Sequence, residues 1–184
     1  MIRFVGAIDL QRFNRPAKPG ADVVWVGTPV GRKNPELLLE LASAAPDLKF
    51  RVLGKNWGNS NYMNKLAELS NVEYREISGP LSSSDFDGCL IYLMLSRIEG
   101  GPMPLLESLA AGLIPVCTRT GFVEDLLSAI NLDHNIVDGF DTEEIIQLME
   151  NLTDIDKDLQ RRISFAKQFD FNRLRSVILG AYFG

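Results

Sequence analysis

Short β-branched or apolar runs alternate along the chain with segments whose apolar residues recur at helical spacing. Val23 to Gly27 (VVWVG) reads as a strand closed by a glycine, and Pro35 then opens ELLLELASAA, a helix with proline at its first position. Lys49 to Leu53 predicts a second strand, Tyr62 to Leu69 a helix and Val72 to Tyr74 a third strand. Leu90 to Leu95 is apolar throughout, as expected of a fourth strand covered on both faces. A helix over Pro104 to Ala111 stops at Gly112. Ile114 to Cys117 then predicts a fifth strand, Val123 to Ile130 a helix and Asn135 to Val137 a sixth strand. Thr142 to Leu152, Ile155 to Phe169 and Phe171 to Tyr182 close the chain as amphipathic helices. Strands alternating with helices predict the α/β class: a Rossmann-like, doubly wound parallel sheet with helices on both faces. Residues 1–20, loop-like with Pro16 and Pro19, read as a lead-in, and residues 21–184 as the domain proper.

Composition narrows the setting. The chain has 184 residues, 46% hydrophobic and 23% charged, a balance suited to one buried core. A net charge of -5 argues against a nucleic-acid binder that relies on a large excess of Lys and Arg, so any bound phosphate must be met by local groups. The two cysteines, Cys89 and Cys117, each lie in an apolar run and suggest buried thiols rather than a disulfide framework. The longest apolar run, Cys89 to Leu95, is far short of the ~20 residues of a membrane helix. The opening MIRFVGAIDL lacks the layout of a signal peptide. A cytoplasmic setting is expected.

In doubly wound folds ligands bind beyond the carboxyl ends of the strands, and four polar or glycine-containing clusters follow strands directly: GTPVGRKN, GKNWGN, SRIEGGP and TRTGFVED. In EGGPMPLLE, residues 99 to 107, Gly100 and Gly101 allow close backbone approach, and the helix starting near Pro104 points its positive end at the same place. This predicts an anion site. Glu107, about one turn into the helix, is placed to accept hydrogen bonds from sugar hydroxyls beside a bound phosphate. For either acid alone a plainer account suffices, with Glu107 complementing the helix dipole and Glu99 solvated in a loop. The pair at this spacing after an apolar strand points to a ligand.

EGGPMPLLE resembles the E-G-F-G-L-P-x-x-E element of group 1 glycosyltransferases, the retaining family with the two-domain GT-B fold that uses nucleotide-diphosphate sugars. Six further segments agree in order. AIDLQRF is similar to the entry into that family's C-terminal domain, VWVGTPVGRKN to its V-G-R-x-x-x-x-K-G segment, and FRVLG to its second strand. LSRIEGGP, ESLAAGLIPV and TGFVEDL resemble the later motifs. The resemblance implies that Lys33 contacts the donor diphosphate and that the backbone of Gly100 and Gly101 meets phosphate and sugar. It implies that Glu107 holds the ribose and Glu99 the transferred sugar. Glu99 and Lys33 are thus the catalytic candidates. Gly27, Thr28, Arg32, Met103, Pro104 and Leu105 fall on the same two segments as substrate-binding candidates. The implied chain is the C-terminal, donor-binding domain of a hexosyltransferase for polysaccharide, lipid or small-metabolite acceptors. It needs no metal, is inactive without an N-terminal acceptor domain, and has peripheral membrane association only as part of the full enzyme.

Three positions depart from the pattern. Thr28 stands where the family has Arg, so a second diphosphate cation must come from Arg32 or Arg97; Pro102 has no N–H; Asn34 replaces a glycine and is expected to cap the helix at Pro35. They motivate an alternative, a non-catalytic nucleotide-binding or partner module; a nucleotide-sugar epimerase fits the EGGPMPLLE element less well. Asp85-Phe86-Asp87 spells a metal-binding D-x-D, but the preceding serines favour a cap or turn. Asp154, Asp156 and Asp158 begin like a calcium loop, yet Leu159 and Phe165 occupy positions that require Gly and Glu. His134, the only histidine, excludes a His-rich metal site. The dehydrogenase, P-loop and hydrolase signatures G-x-G-x-x-G, G-x-x-x-x-G-K-[ST] and G-x-S-x-G do not occur. Trp57 is expected to fill a hydrophobic gap rather than stack on a base.

Overall fold

A computed structural model describes residues 6–152 and 158–183. Six strands form one parallel sheet: β1 (Asp22–Val26), β2 (Phe50–Gly54), β3 (Val72–Glu76), β4 (Cys89–Met94), β5 (Ile114–Thr118) and β6 (Ile136–Val137). Their order is β3-β2-β1-β4-β5-β6. The helices are α1 (Pro35–Ala44), α2 (Tyr62–Ala67), α3 (Met103–Ala111), α4 (Val123–Ser128), α5 (Thr142–Glu150), α6 (Leu159–Ala166) and α7 (Phe171–Phe183). Each expected strand and helix is present with ends moved by a few residues. The start of the helix expected over Ile155 to Phe169, with Asp154 and Asp156, lies outside the described residues.

Strand side chains alternate between two cores, which is why the strands read as continuous apolar runs. Val23 and Trp25 of β1 join Ile91 and Leu93 of β4 in a cluster with Leu37, Leu41 and Ile145 of α1 and α5. Val24, Tyr92 and Met94 face the opposite side and pack with Leu105, Leu109, Leu126 and Phe165 of α3, α4 and α6. The lead-in stays out of the sheet but contributes to this second core. Ile8 and Phe13 are buried, Ile8 N–H donates to the Phe169 carbonyl at 2.9 Å, and Phe171 N–H returns a bond of 2.9 Å to Ile8. Arg15 forms a two-point ion pair with Asp87 at 2.8 Å, which with the Lys18 N–H pulls that carboxyl down to about 2.

The chain runs outward from β1 through β2 to β3, then crosses back to place β4 on the other side of β1. Connections leave β1 and β4 in opposite directions. A crevice therefore opens between their carboxyl ends, the place where this class of fold takes ligands.

Candidate functional site

Two loops meet at that crevice. The first follows β1 and closes with a tight turn at Gly31–Lys33; the second leads from β4 to α3. Arg97 clasps them, its N–H donating to the Arg32 carbonyl at 2.8 Å and its guanidinium to Asn34 Oδ1 at 2.9 Å. Asn34 has a left-handed backbone, φ 57°, and makes no side-chain cap on α1. The expected cap is thus corrected: Asn34 tolerates the turn but spends its carbonyl oxygen on Arg97. Arg97 is also within 5.8 Å of the Phe140 ring, so the second cation at the crevice is Arg32.

The second loop is braced from β5. Thr118 Oγ1 donates to the Ser96 carbonyl at 2.7 Å, and Gly121, φ +54°, lies so close that a Cβ would fall 2.1 Å from the Glu99 carbonyl oxygen. Glu99 is held over the first loop. Lys33 Nζ donates to Glu99 Oε2 at 2.9 Å and Oε1 at 3.2 Å, and Arg32 Nη1 reaches both oxygens at 3.3 Å. The Lys33 and Glu99 side chains are only 9% and 8% exposed, whereas Arg32 is 53% exposed. Two cations and one carboxylate leave the cluster with an excess positive charge at the switch point.

The entry to α3 distributes its N–H groups unevenly. Pro102 and Pro104 have none, Met103 N–H bonds to the Gly101 carbonyl at 2.9 Å, and Leu105 N–H to the Pro102 carbonyl at 3.0 Å. Among the described residues the amides of Gly100 and Gly101 have no acceptor. Donation at this helix tip falls to those two glycines. Neither needs a left-handed backbone, and a Cβ at Gly100 would meet nothing within 4 Å, so no intramolecular contact explains a glycine there.

Glu107 lies one turn further along α3. Burial raises its carboxyl to about 7; Arg12 from the lead-in opposes the shift and Asp85 adds to it. Its carboxyl group makes no hydrogen bond among the described residues. Glu99 and Glu107 have different charged neighbours, but Tyr92, fully buried in β4, feels both: burial, then Cys117, Glu99 and Glu107, hold its phenol well above the ordinary range. Arg12 is the charged neighbour that sequence reasoning missed. AIDLQRF placed it in a family motif without suggesting that it faces α3.

The remaining candidates divide. Met103 borders the crevice, its Sδ only 2.3 Å from where a Cβ on Gly6 would sit, and Pro104 is half-buried beside it. Thr28 lines an adjoining cleft. Gly27 donates to Leu53 and accepts from Trp57 Nε1 at 3.0 Å, so both its backbone polar groups are committed. Leu105 is corrected to a core residue, with its side chain fully buried and its N–H used within the chain. Trp57 is fully buried, edge-on to Trp25, as expected. Asp85 completes a capping box with Ser82, and His134 is an exposed residue in the turn Asp133–Asn135. No cluster of three or more His, Cys, Asp or Glu suited to a metal occurs among the described residues.

A parallel sheet with this switch point, a glycine loop and flanking acids defines a doubly wound α/β class that takes ligands at the carboxyl ends of its strands, and comparison narrows it. The model of the family described as glycosyl transferases group 1 matches residues 8–169, and the chain belongs to that family. It is 30% identical over 139 residues to glycogen synthase 2 of Geobacter metallireducens, covering 69% of this chain and 28% of that protein. The fold matches the crystal structure of the GtfA/B complex with a TM-score of 0.70 at 16% identity, covering 96% of this chain and 38% of the other. It matches TarM at 0.69 and 14% identity, over 92% and 37%. AviGT4, a glycosyltransferase involved in avilamycin A biosynthesis, matches at 0.59 and 17%, over 95% and 57%. The architecture is that of a GT-B glycosyltransferase domain, and the chain spans less than two thirds of each of these proteins.

Proposed function

We propose that this chain is the donor-binding, C-terminal domain of a retaining glycosyltransferase. It takes a nucleoside-diphosphate sugar at the crevice between β1 and β4 and transfers the sugar only together with an acceptor-binding domain. The supporting observation is the Lys33–Glu99–Arg32 cluster, in which Glu99 directly precedes Gly100 and Gly101, whose amides have no acceptor among the described residues. As the bond between the sugar and the diphosphate breaks, negative charge grows on the departing phosphate oxygen. Lys33, Arg32 and the two amides meet that charge, the cations by exchanging part of their contact with Glu99 for the phosphate. Glu99 accepts from a hydroxyl of the sugar, and Glu107, once ionised, accepts from the ribose. The cations are side chains, so no metal step is invoked.

Titration of UDP and GDP into the chain is expected to give saturable binding that weakens at least tenfold in Glu107→Ala. Donor hydrolysis and sugar transfer by the chain alone are expected to be absent. Failure of both nucleotides to bind, even with an acceptor domain supplied, would overturn the reading. A second reading, a binding module without chemistry, draws on the fact that both cations are already engaged by Glu99. It predicts nucleotide binding without transfer under every pairing.

A further inference from the structure

Beside the donor crevice lies a second cleft, of about 770 Å³, between the loops that follow β1 and β2. We propose that it is a subsite for a neutral, hydroxyl-rich ligand, a saccharide chain running past the transfer edge; this rests on the proposed donor reading. Thr28 at its inner wall belongs to the same loop as Arg32 and Lys33, so the cleft and the donor site share one wall.

The lining chemistry selects the ligand. Asn56, Asn59 and Asn61 each present a carboxamide that both donates and accepts, the pairing a sugar hydroxyl requires. The charges here are one Lys65 and one Glu36, with no cationic excess to attract a phosphate. Glu36 is the most telling member. Tyr62 OH donates to its Oε1, while Oε2 is shielded from water and has no hydrogen-bond partner among the described residues. Tyr62 holds the Glu36 carboxyl below its usual range, so that unmatched oxygen is an acceptor only. A buried acceptor left without a donor is costly, so a ligand hydroxyl that reaches Oε2 on a shift of the Tyr62 ring relieves that cost. The half-buried Tyr62 also offers an apolar surface for sugar C–H groups. The volume lies within the range of small-molecule sites, roughly 300 to 1,000 Å³.

The test is an NMR titration of the full chain with maltoheptaose, cellohexaose and mannohexaose, followed through the side-chain amides of Asn56, Asn59 and Asn61. At least one oligosaccharide is expected to give saturable shifts at millimolar concentration. The exposed-rim variant Asn59→Trp is expected to weaken that binding at least tenfold while UDP affinity stays within twofold. Glu36→Gln is expected to weaken saccharide binding similarly. The subsite is overturned if no oligosaccharide shifts these amides, if inorganic phosphate shifts them and the sugars do not, or if Asn59→Trp binds saccharide as well as the parent. Saccharide binding without UDP binding would support the subsite and remove the donor reading; UDP binding without saccharide binding would do the reverse.

Discussion

Glu107 shows how one buried side chain couples stability to ligand. Its carboxyl moves from an ordinary 4.5 to about 7 on folding, chiefly through desolvation. Between those values the folded state holds more protons at this group than the unfolded one, so Glu107's contribution to stability is most favourable below pH 4.5 and falls as pH rises to about 7. Glu107→Gln should flatten that slope and be more stable than the parent at pH 8 by about 2 kcal/mol, read by urea unfolding at pH 5 and pH 8. A ribose hydroxyl donated to the carboxylate favours the ionised form. UDP affinity should therefore rise from pH 6 to pH 8 in the parent and be weak and flat in Glu107→Gln. Glu99→Gln makes a different prediction. It leaves Lys33 buried without its anion, costing about 3 kcal/mol of stability, yet frees both cations for a diphosphate. Affinity for UDP should rise several-fold as the melting temperature falls; equal affinity in the variant would mean that the cluster does not face the diphosphate.

Among the elements, the site depends on three loops pressed together after β1, β4 and β5. Gly121 is a tight point between the loops after β4 and β5, because its backbone is left-handed and a Cβ would collide with the Glu99 carbonyl. Gly121→Ala should shift the Glu99 loop, weaken UDP binding several-fold and leave the circular dichroism spectrum unchanged; unaltered binding would show that the bracing has no functional role. The strands were legible because they are covered on both faces: an unbroken apolar run such as Leu90 to Leu95 can be read without knowing its neighbours. The motif order after β1 and β4 was legible for a similar reason, since glycines and charges directly follow apolar runs. What escaped depended on distant partners. Ile8 is buried where the chain returns at Phe169 and Asp170, and Phe13 packs against the distant Phe86; no local periodicity marks either closure. The capture of the Asn34 side chain by Arg97 and the spent amides of Met103 and Leu105 are three-dimensional facts of the same kind.

At the scale of the whole molecule, a chain of net charge -5 concentrates two cations, and two amides unpaired among the described residues, at one edge of its sheet. The opposite edge has a cavity of about 410 Å³ lined by Asp22, Asp47, Lys49 and Glu73 among others, a setting ill-suited to a diphosphate. The order β3-β2-β1-β4-β5-β6 of the described strands changes winding direction between β1 and β4, where the cations are. Backbone amide NMR shifts during titration with UDP and GDP decide whether that edge is the donor site. The expected result is saturable movement of Arg32, Lys33, Gly100 and Gly101, with Asp47, Ser70 and Asn71 at the far edge unmoved. Shifts confined to the far edge, or none with either nucleotide, would contradict the account.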